Sequence, residues 1–250
     1  MSFESVVSVE QAQPGVCLIR MQDRQSKNTF SEALTQGLME AFAQVQKQSE
    51  YKVVVLTGYD NFFASGGTQE DLLHLSEGKG NFSDRDLYSL ALNCDIPVIS
   101  AMQGHGIGGG FVLGLFADVV LLSRESVYTT NFMKYGFTPG MGATMIVPKK
   151  LGIVLAEEML LGAVNYRGAE LKERGIPFTV LPRDQVLAKA LEIAASLAEK
   201  PRHSLVTLKA HLVAQMREEL PGFIAKEVAM HDSTFGQPEV RERIKSLFGQ

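Results

Sequence analysis

The stretch "IPVISAMQGHGIGGGFVLGLFADVVLLS", residues 96–123, constrains the fold more than any other. Five glycines fall within seven positions, from Gly104 to Gly110, between two apolar runs. Residues 96–102 are short, apolar and β-branched, as a strand buried on both faces requires. The residues after the glycines read as a short helix, and "DVVLLS" then reads as another strand. A turn this rich in glycine lets the backbone approach something closely or take dihedrals closed to other residues. Strand, glycine turn, helix, strand is the signature of an α/β layer with parallel strands.

The rest of the chain extends that pattern. Two short strands, residues 6–10 and 16–20, flank the turn signal "AQPG". "FSEALTQGLMEAFAQVQKQ" has Ser31 as N-cap and Leu34, Leu38, Phe42 and Val45 at helical spacing. "KVVVLTG" is a second buried strand, and "NFFASGGTQEDLL" carries another glycine turn, Gly66–Gly67, into another helix. "SDRDLYSLALNCD" also reads as a helix. From about Val154 the strand signal fades into helices punctuated at Pro201, Pro221 and Pro238. No repeat, linker or low-complexity segment is visible. The expected division is an α/β core over residues 1–195 and a helical region over 196–250.

Composition removes several classes of function. A formal net charge of -4 gives no basic surface for nucleic acid. No apolar run reaches the roughly 20 residues of a bilayer span. Two cysteines, Cys17 and Cys94, are too few for a disulfide framework or a zinc site. The N-terminal residues lack the basic and apolar regions of a secretory signal, so a cytoplasmic protein is expected.

Three readings of the glycine loop stand beside one another. Gly104, Gly106 and Gly109 match G-x-G-x-x-G after a strand, with Glu125 about 20 residues on, as a dinucleotide site would have. The helix that follows is short for that unit, and about 100 residues precede the motif. A packing role is the second reading. The third follows from the pair of turns: each closes a strand and opens a helix, so backbone N–H groups from both can converge on one oxygen.

The series "MQDRQSKNTFS", "VVVLTGYDNFFASGGTQE", "IPVISAMQGHGIGGGFVLGLFADVVLLS", "FTPGMGAT" and "LPRDQVLAKALEIAASLAEKP" resembles the crotonase (enoyl-CoA hydratase/isomerase) superfamily. The resemblance implies a spiral of ββα units with C-terminal helices that close the active site and assemble trimers, and often hexamers. It also implies an oxyanion hole for a thioester carbonyl, which by motif falls on the N–H groups of Gly67 and Gly109. Hydratases of the family carry two glutamates. The position two residues after the glycine triplet is Val112 here, and the position before the P-G-x-G segment is Phe132. Water addition therefore lacks its acid and base.

Decarboxylation needs no base, only a sink for the electron pair and then one acid. Apolar Val112 and Phe132 suit an anionic substrate, which a glutamate would repel. The sequence is most similar to the decarboxylating homologues of polyketide β-branching cassettes, through "ASGGTQE", "LYSLAL", "QGHGIGGGFV", "SRESVYTTNFMKYGFTPGMGAT" and "PRHSLVTLKAHL". That resemblance implies a carboxy-lyase converting 3-methylglutaconyl-acyl carrier protein to the 3-methylcrotonyl thioester. The substrate rides on the carrier's phosphopantetheine, and no separate cofactor or metal is implied. An enoyl isomerase, a dehydratase of the same fold and a non-catalytic assembly partner are the alternatives.

For the acid, the resemblance points to His231, in "IAKEVAMHDSTF", and to Lys79, in "SEGKGNF". A histidine titrates near neutrality, as a proton donor should. Both residues also have bland readings, a packed histidine and a solvated loop lysine. Tyr88 and Tyr135 are weaker candidates for the pocket, with Val112 and Phe132 as its apolar walls. Of the other histidines, His105 reads as structural, His203 and His211 as capping or surface residues, and His74 as a pocket candidate. Arg24 and Lys27 occupy the region where relatives meet the nucleotide end of coenzyme A, and Lys149 and Lys150 are candidates for contact with an acidic carrier.

Overall fold

The computed structural model describes residues 6–78 and 86–248. A six-stranded sheet forms its centre. Strands β1 (Val7–Gln13) and β2 (Val16–Met21) make an antiparallel hairpin. The strands β3 (Val53–Thr57), β5 (Val98–Met102), β7 (Val119–Ser123) and β10 (Thr179–Leu181) continue from β2 in parallel, in the order β1-β2-β3-β5-β7-β10. The residues of β3 and β5 are all buried, which is why they read as unbroken apolar runs.

Alternation of side chains along each strand feeds two core layers. Val53 and Val55 face one layer with Leu18, Ile99 and Leu121, whereas Val54 and Leu56 face the other. Helix α8 (Arg183–Ala198) covers the first layer with Val186, Ala190, Ala194 and Ala198, one residue per turn. Small side chains at that spacing let the helix lie close on the sheet. Helix α1 (Glu32–Lys47) packs on the opposite layer through Leu34, Leu38, Phe42 and Val45, and Ser31 caps it by accepting from Leu34 N.

A second sheet holds the short strands β4 (Phe62–Ala64), β6 (His105–Ile107), β8 (Val127–Thr129) and β9 (Tyr166–Arg167), in that order. The core thus repeats a unit: a long strand in the large sheet, a three-residue strand in the small one, then a helical turn. The repeat has no counterpart in sequence similarity. Buried side chains join its copies. Gln103 Oε1 accepts from Thr57 Oγ1 and Gly58 N, tying the β3 turn to the β5 turn. Tyr128, fully buried, donates to Met102 O and accepts from Ser123 N, tying the small sheet to the large one.

The C-terminal region departs from the sequence reading in one respect. Pro201 and Pro238 do stand at helix starts, but α9 (Arg202–Thr234) runs unbroken through Pro221. Proline removes one backbone hydrogen bond inside a helix and crowds the preceding turn. Here buried contacts on both sides of Pro221 hold the helix to the core. Lys209 Nζ meets Asp118 at 2.8 Å and the carbonyls of Ala91 and Ile96, and the buried Glu227 carboxylate binds the start of α5 (Ala143–Leu151). Residues 86–93 form a four-residue 3-10 turn and the short α3 (Leu90–Asn93), not one longer helix.

Candidate active site

The two glycine turns meet. Gly66 has a φ of +73°, which lets the chain leave β4 and enter α2 (Gln69–Ser76) behind its N-cap Thr68. A Cβ at Gly66 would stand 3.2 Å from the amide nitrogen of Gly109, so the backbones are in contact. Gly108, at φ +54°, performs the same turn from β6 into α4 (Gly109–Leu115). The packing reading holds for another member of the cluster: a Cβ at Gly104 would fall 2.4 Å from the backbone of Asn61–Phe62.

A small cavity lies against the junction. Gly66, Gly67, Gly108 and Gly109 form one wall, and Leu72, Phe132, Tyr135, Phe137, Met141 and Phe248 supply apolar walls around Asn131. Among the described residues neither the Gly67 nor the Gly109 N–H donates to any protein acceptor. Gly109 is the first residue of its helix, where an amide has no partner within the helix. Two unpaired backbone donors therefore line one apolar cavity. A carbonyl oxygen that gains negative charge during reaction is what such an arrangement stabilises.

The carboxylate expected of a dinucleotide site is used otherwise. Glu125 Oε2 accepts from Ser123 Oγ and from Arg183 N at the start of α8.

The other candidates divide. Phe132 and Tyr135 line the cavity, and burial raises the phenol pKa of Tyr135 above its ordinary value. Val112 is fully buried one turn into α4, and Tyr88 sits in a separate cleft beside α9, its hydroxyl donating to Asp86. Lys79 lies outside the described residues. His231 does not line the cavity. Its Nε2 donates to Thr138 O at 2.8 Å, its ring meets Phe235 edge-on, and Phe235 stacks on the cavity residue Phe137 at 4.2 Å between centroids. Burial lowers its pKa, against the backbone carbonyls of Thr138 and Pro139 and the nearby Asp232, which raise it.

His231 belongs to a clasp. Glu227 accepts from Gly142 N, Thr144 N and Thr144 Oγ1, and Thr234 bonds Thr138. Residues 227, 231 and 234 share a face of α9 by helical spacing, and together they grip the "FTPGMGAT" segment that supplies Phe137 and Met141. Met141 in turn packs on Gly109, its sulfur 2.5 Å from where a Cβ there would stand.

Several surface expectations change with the structure. His105 Nδ1 accepts from Val127 N, a structural role, while His74, His203 and His211 are exposed. Arg24 is paired with Asp60 and lies over the Tyr59 ring. Lys27 borders the Gly66 turn, its carbonyl accepting from Ser65 Oγ. Lys149 pairs with Glu219 at the surface, whereas Lys150 turns inward to Ala117 O.

Sequence reasoning missed Leu72, Asn131, Phe137, Met141 and Phe248 as cavity residues. Asn131 adjoins Phe132, and Phe137 and Met141 lie in the "FTPGMGAT" segment, but no spacing or residue type assigned them to the pocket. Leu72 and Phe248 reach it from distant parts of the chain.

Comparison with known proteins agrees with this geometry. The enoyl-CoA hydratase/isomerase family matches residues 11–248. The chain is 62% identical over 245 residues to the bacillaene synthase decarboxylase PksI of Bacillus subtilis (strain 168), covering 98% of each. A solved structure from a dehydratase/decarboxylase enzyme couple of polyketide β-branching superposes with a TM-score of 0.98 at 62% identity, over 98% of this chain and all of that one. The ECH2 decarboxylase domain of CurF from Lyngbya majuscula gives 0.94 at 47% identity, again over 98% of this chain and 100% of that one. Nothing in the described residues is long and apolar enough to cross a membrane as a helix. With its glycine turns, its small second sheet and these relatives, the chain belongs to the enoyl-CoA hydratase/isomerase family, the crotonase superfamily.

Proposed function

We propose that the protein is a carboxy-lyase that converts a 3-methylglutaconyl thioester on an acyl carrier protein to the 3-methylcrotonyl thioester. The observation that carries this reading is the pair of unpaired N–H groups, Gly67 and Gly109, in a cavity whose described walls hold no carboxylate. The relatives at 62% and 47% identity are decarboxylases. The bond between the carboxylate carbon and the adjacent methylene breaks, and CO2 leaves. Its electron pair passes through the carbon–carbon double bond into the thioester carbonyl, giving a dienolate whose oxygen is held by the two amides. Protonation at the former methylene carbon restores the conjugated thioester.

The thioester is itself the electron sink, so no cofactor takes part. Lys79 and His231 are the proposed acids. His231 acts from behind Phe137, and its bond to Thr138 must be shared or released for a proton to pass. The cavity encloses about 30 Å³, room for a water or two, so the acyl chain displaces part of its wall. Phe248, stacked on Tyr135, is the lining residue nearest the chain end.

The protein works as a homotrimer or a hexamer, in the cytoplasm. Exposed Ile153, Val154 and Leu161 on α6 (Ile153–Gly162), with Leu208 and Leu212 on α9, support burial between copies. The division at residue 195 falls in the last turn of α8, and the change from sheet-covering helix to closing helix comes between Ala198 and Arg202.

The test is mass spectrometry of carrier-bound 3-methylglutaconyl thioester with the wild type, Lys79→Ala and His231→Ala. Loss of the mass of CO2 with wild type, much slowed in the variants, is the expected result. An unchanged acyl mass with every protein contradicts decarboxylation of this substrate.

A further inference from the structure

Among the described residues Asn131 is the one cavity residue with a carboxamide, and none of them bonds to it. It opens the 3-10 turn Asn131–Tyr135 that follows β8. At such a position an asparagine commonly hydrogen-bonds its own backbone. Here, among the described residues, its side chain bonds to no protein group. Its Oδ1 rests against Gly108, 2.6 Å from where a Cβ would stand, so only glycine at that position leaves room for the amide. Gly108 immediately precedes the donor Gly109, which places the carboxamide beside the thioester site.

The charge of the surroundings narrows what this amide is for. Among the described residues no lysine, arginine or histidine lines the cavity, and the rest of its wall is backbone, aromatic and aliphatic apart from the Tyr135 hydroxyl. The two backbone donors are engaged by the thioester oxygen. A carboxylate on the acyl chain then needs further donors, because an ionised carboxylate in an apolar site without a hydrogen bond is strongly disfavoured. Beside the proposed acid Lys79, which lies outside the described residues, the described lining offers the Asn131 carboxamide. A neutral amide supplies one bond and fixes the direction of the carboxylate. CO2 leaves as a neutral molecule, and the negative charge passes to the dienolate oxygen held by the two backbone amides.

We propose that Asn131 is a specificity-determining residue, whose carboxamide donates to the free carboxylate of the acyl group and so selects a dicarboxylic thioester over its uncharged counterpart. The inference rests on the thioester site assigned above and adds the group that reads the far end of the substrate.

The test uses two ligands that cannot react, the pantetheine thioesters of 3-methylglutarate and of isovalerate, which differ by the carboxylate. Binding is measured to the wild type, Asn131→Ala and Asn131→Asp, with thermal melting recorded for each. Asp keeps the shape against Gly108 and replaces a donor with a like charge. Loss of one hydrogen bond to a charged group corresponds to roughly 10-fold to 100-fold in affinity. The expected result is a loss of that size for the glutaryl ligand, larger in Asn131→Asp, with the isovaleryl ligand within about 2-fold of wild type. Unchanged glutaryl affinity in both variants, or an equal loss for both ligands, overturns the proposal. Because neither ligand turns over, a wild type that binds in this pattern yet releases no CO2 from the unsaturated substrate contradicts the decarboxylase reading and leaves the Asn131 assignment standing.

Discussion

The glycine wall of the cavity and the α9 layer behind its opposite wall treat their polar groups in opposite ways. On the glycine wall, Gly67 and Gly109 present N–H groups without protein partners among the described residues, and the Asn131 carboxamide beside them is equally unspent. In the α9 layer, Glu227, His231 and Thr234 spend theirs on residues 138–144. Groups that the fold leaves without protein partners around one cavity are the ones available to a ligand, and Gly67, Gly109 and Asn131 are such groups. The paired layer is the support that keeps the glycine wall in place, since Met141 links the clasp to Gly109.

The largest effect should come from removing a donor. Gly109→Pro deletes one N–H at the first position of a helix, which proline otherwise tolerates. Its ring displaces Met141 and Phe30, so melting is measured alongside turnover. The expectation is a fall in kcat of about 100-fold to 1000-fold. A variant that folds and turns over normally breaks the distinction between the glycine wall and the α9 layer.

In the paired layer the expected damage is to stability. Glu227→Ala leaves the amides of Gly142 and Thr144 buried without acceptors, at a cost of about 2–3 kcal/mol by denaturant unfolding. Glu227→Gln, which keeps an acceptor, should lose less. If Glu227→Ala is as stable as wild type, the clasp is not what holds this segment.

The pH dependence of stability sharpens the same point. Burial depresses the His231 pKa below 6.5, so the unfolded chain binds more protons than the native one as pH falls through that value. The contribution of His231 to stability therefore declines from pH 6.5 downward and levels off below its folded pKa. Unfolding midpoints of wild type and His231→Gln between about pH 5 and 7.5 should show a slope that the variant lacks. Equal slopes would mean that His231 is not buried in solution as the structure has it.

The smallest effect is expected at Lys149. Its pair with Glu219 is about a third exposed, and Lys149→Ala should change stability by less than about 1 kcal/mol. A larger change would assign this corner of the molecule to an interface.

The parts of this picture that were legible in the sequence share a cause. The strands β3, β5 and β7, the Ser31 cap and the two glycine turns are each encoded within a few residues by local pattern. The strands β4, β6, β8 and β10 are three residues long, too short for an alternation to register, and β9 has only two. They exist because tertiary pairing positions them, β10 against β7 and the other four against one another. Pro221 carried a local signal that pointed the wrong way, because contacts at Lys209 and Glu227 outweigh it. The oxyanion donors were legible because glycine is a local requirement. Asn131 was not, since its meaning lies in the absence of a partner, and only the fold reveals which groups go unpaired.

The central claim is that the Gly67 and Gly109 amides bind a thioester oxygen. The most direct measurement is isotope-edited infrared spectroscopy of an isovaleryl thioester, labelled at the carbonyl carbon and bound to the protein. The account predicts a carbonyl stretch at lower frequency in the complex than in water, and a return toward the free value in Gly109→Pro. A carbonyl band in the wild-type complex at or above its frequency in water would contradict it.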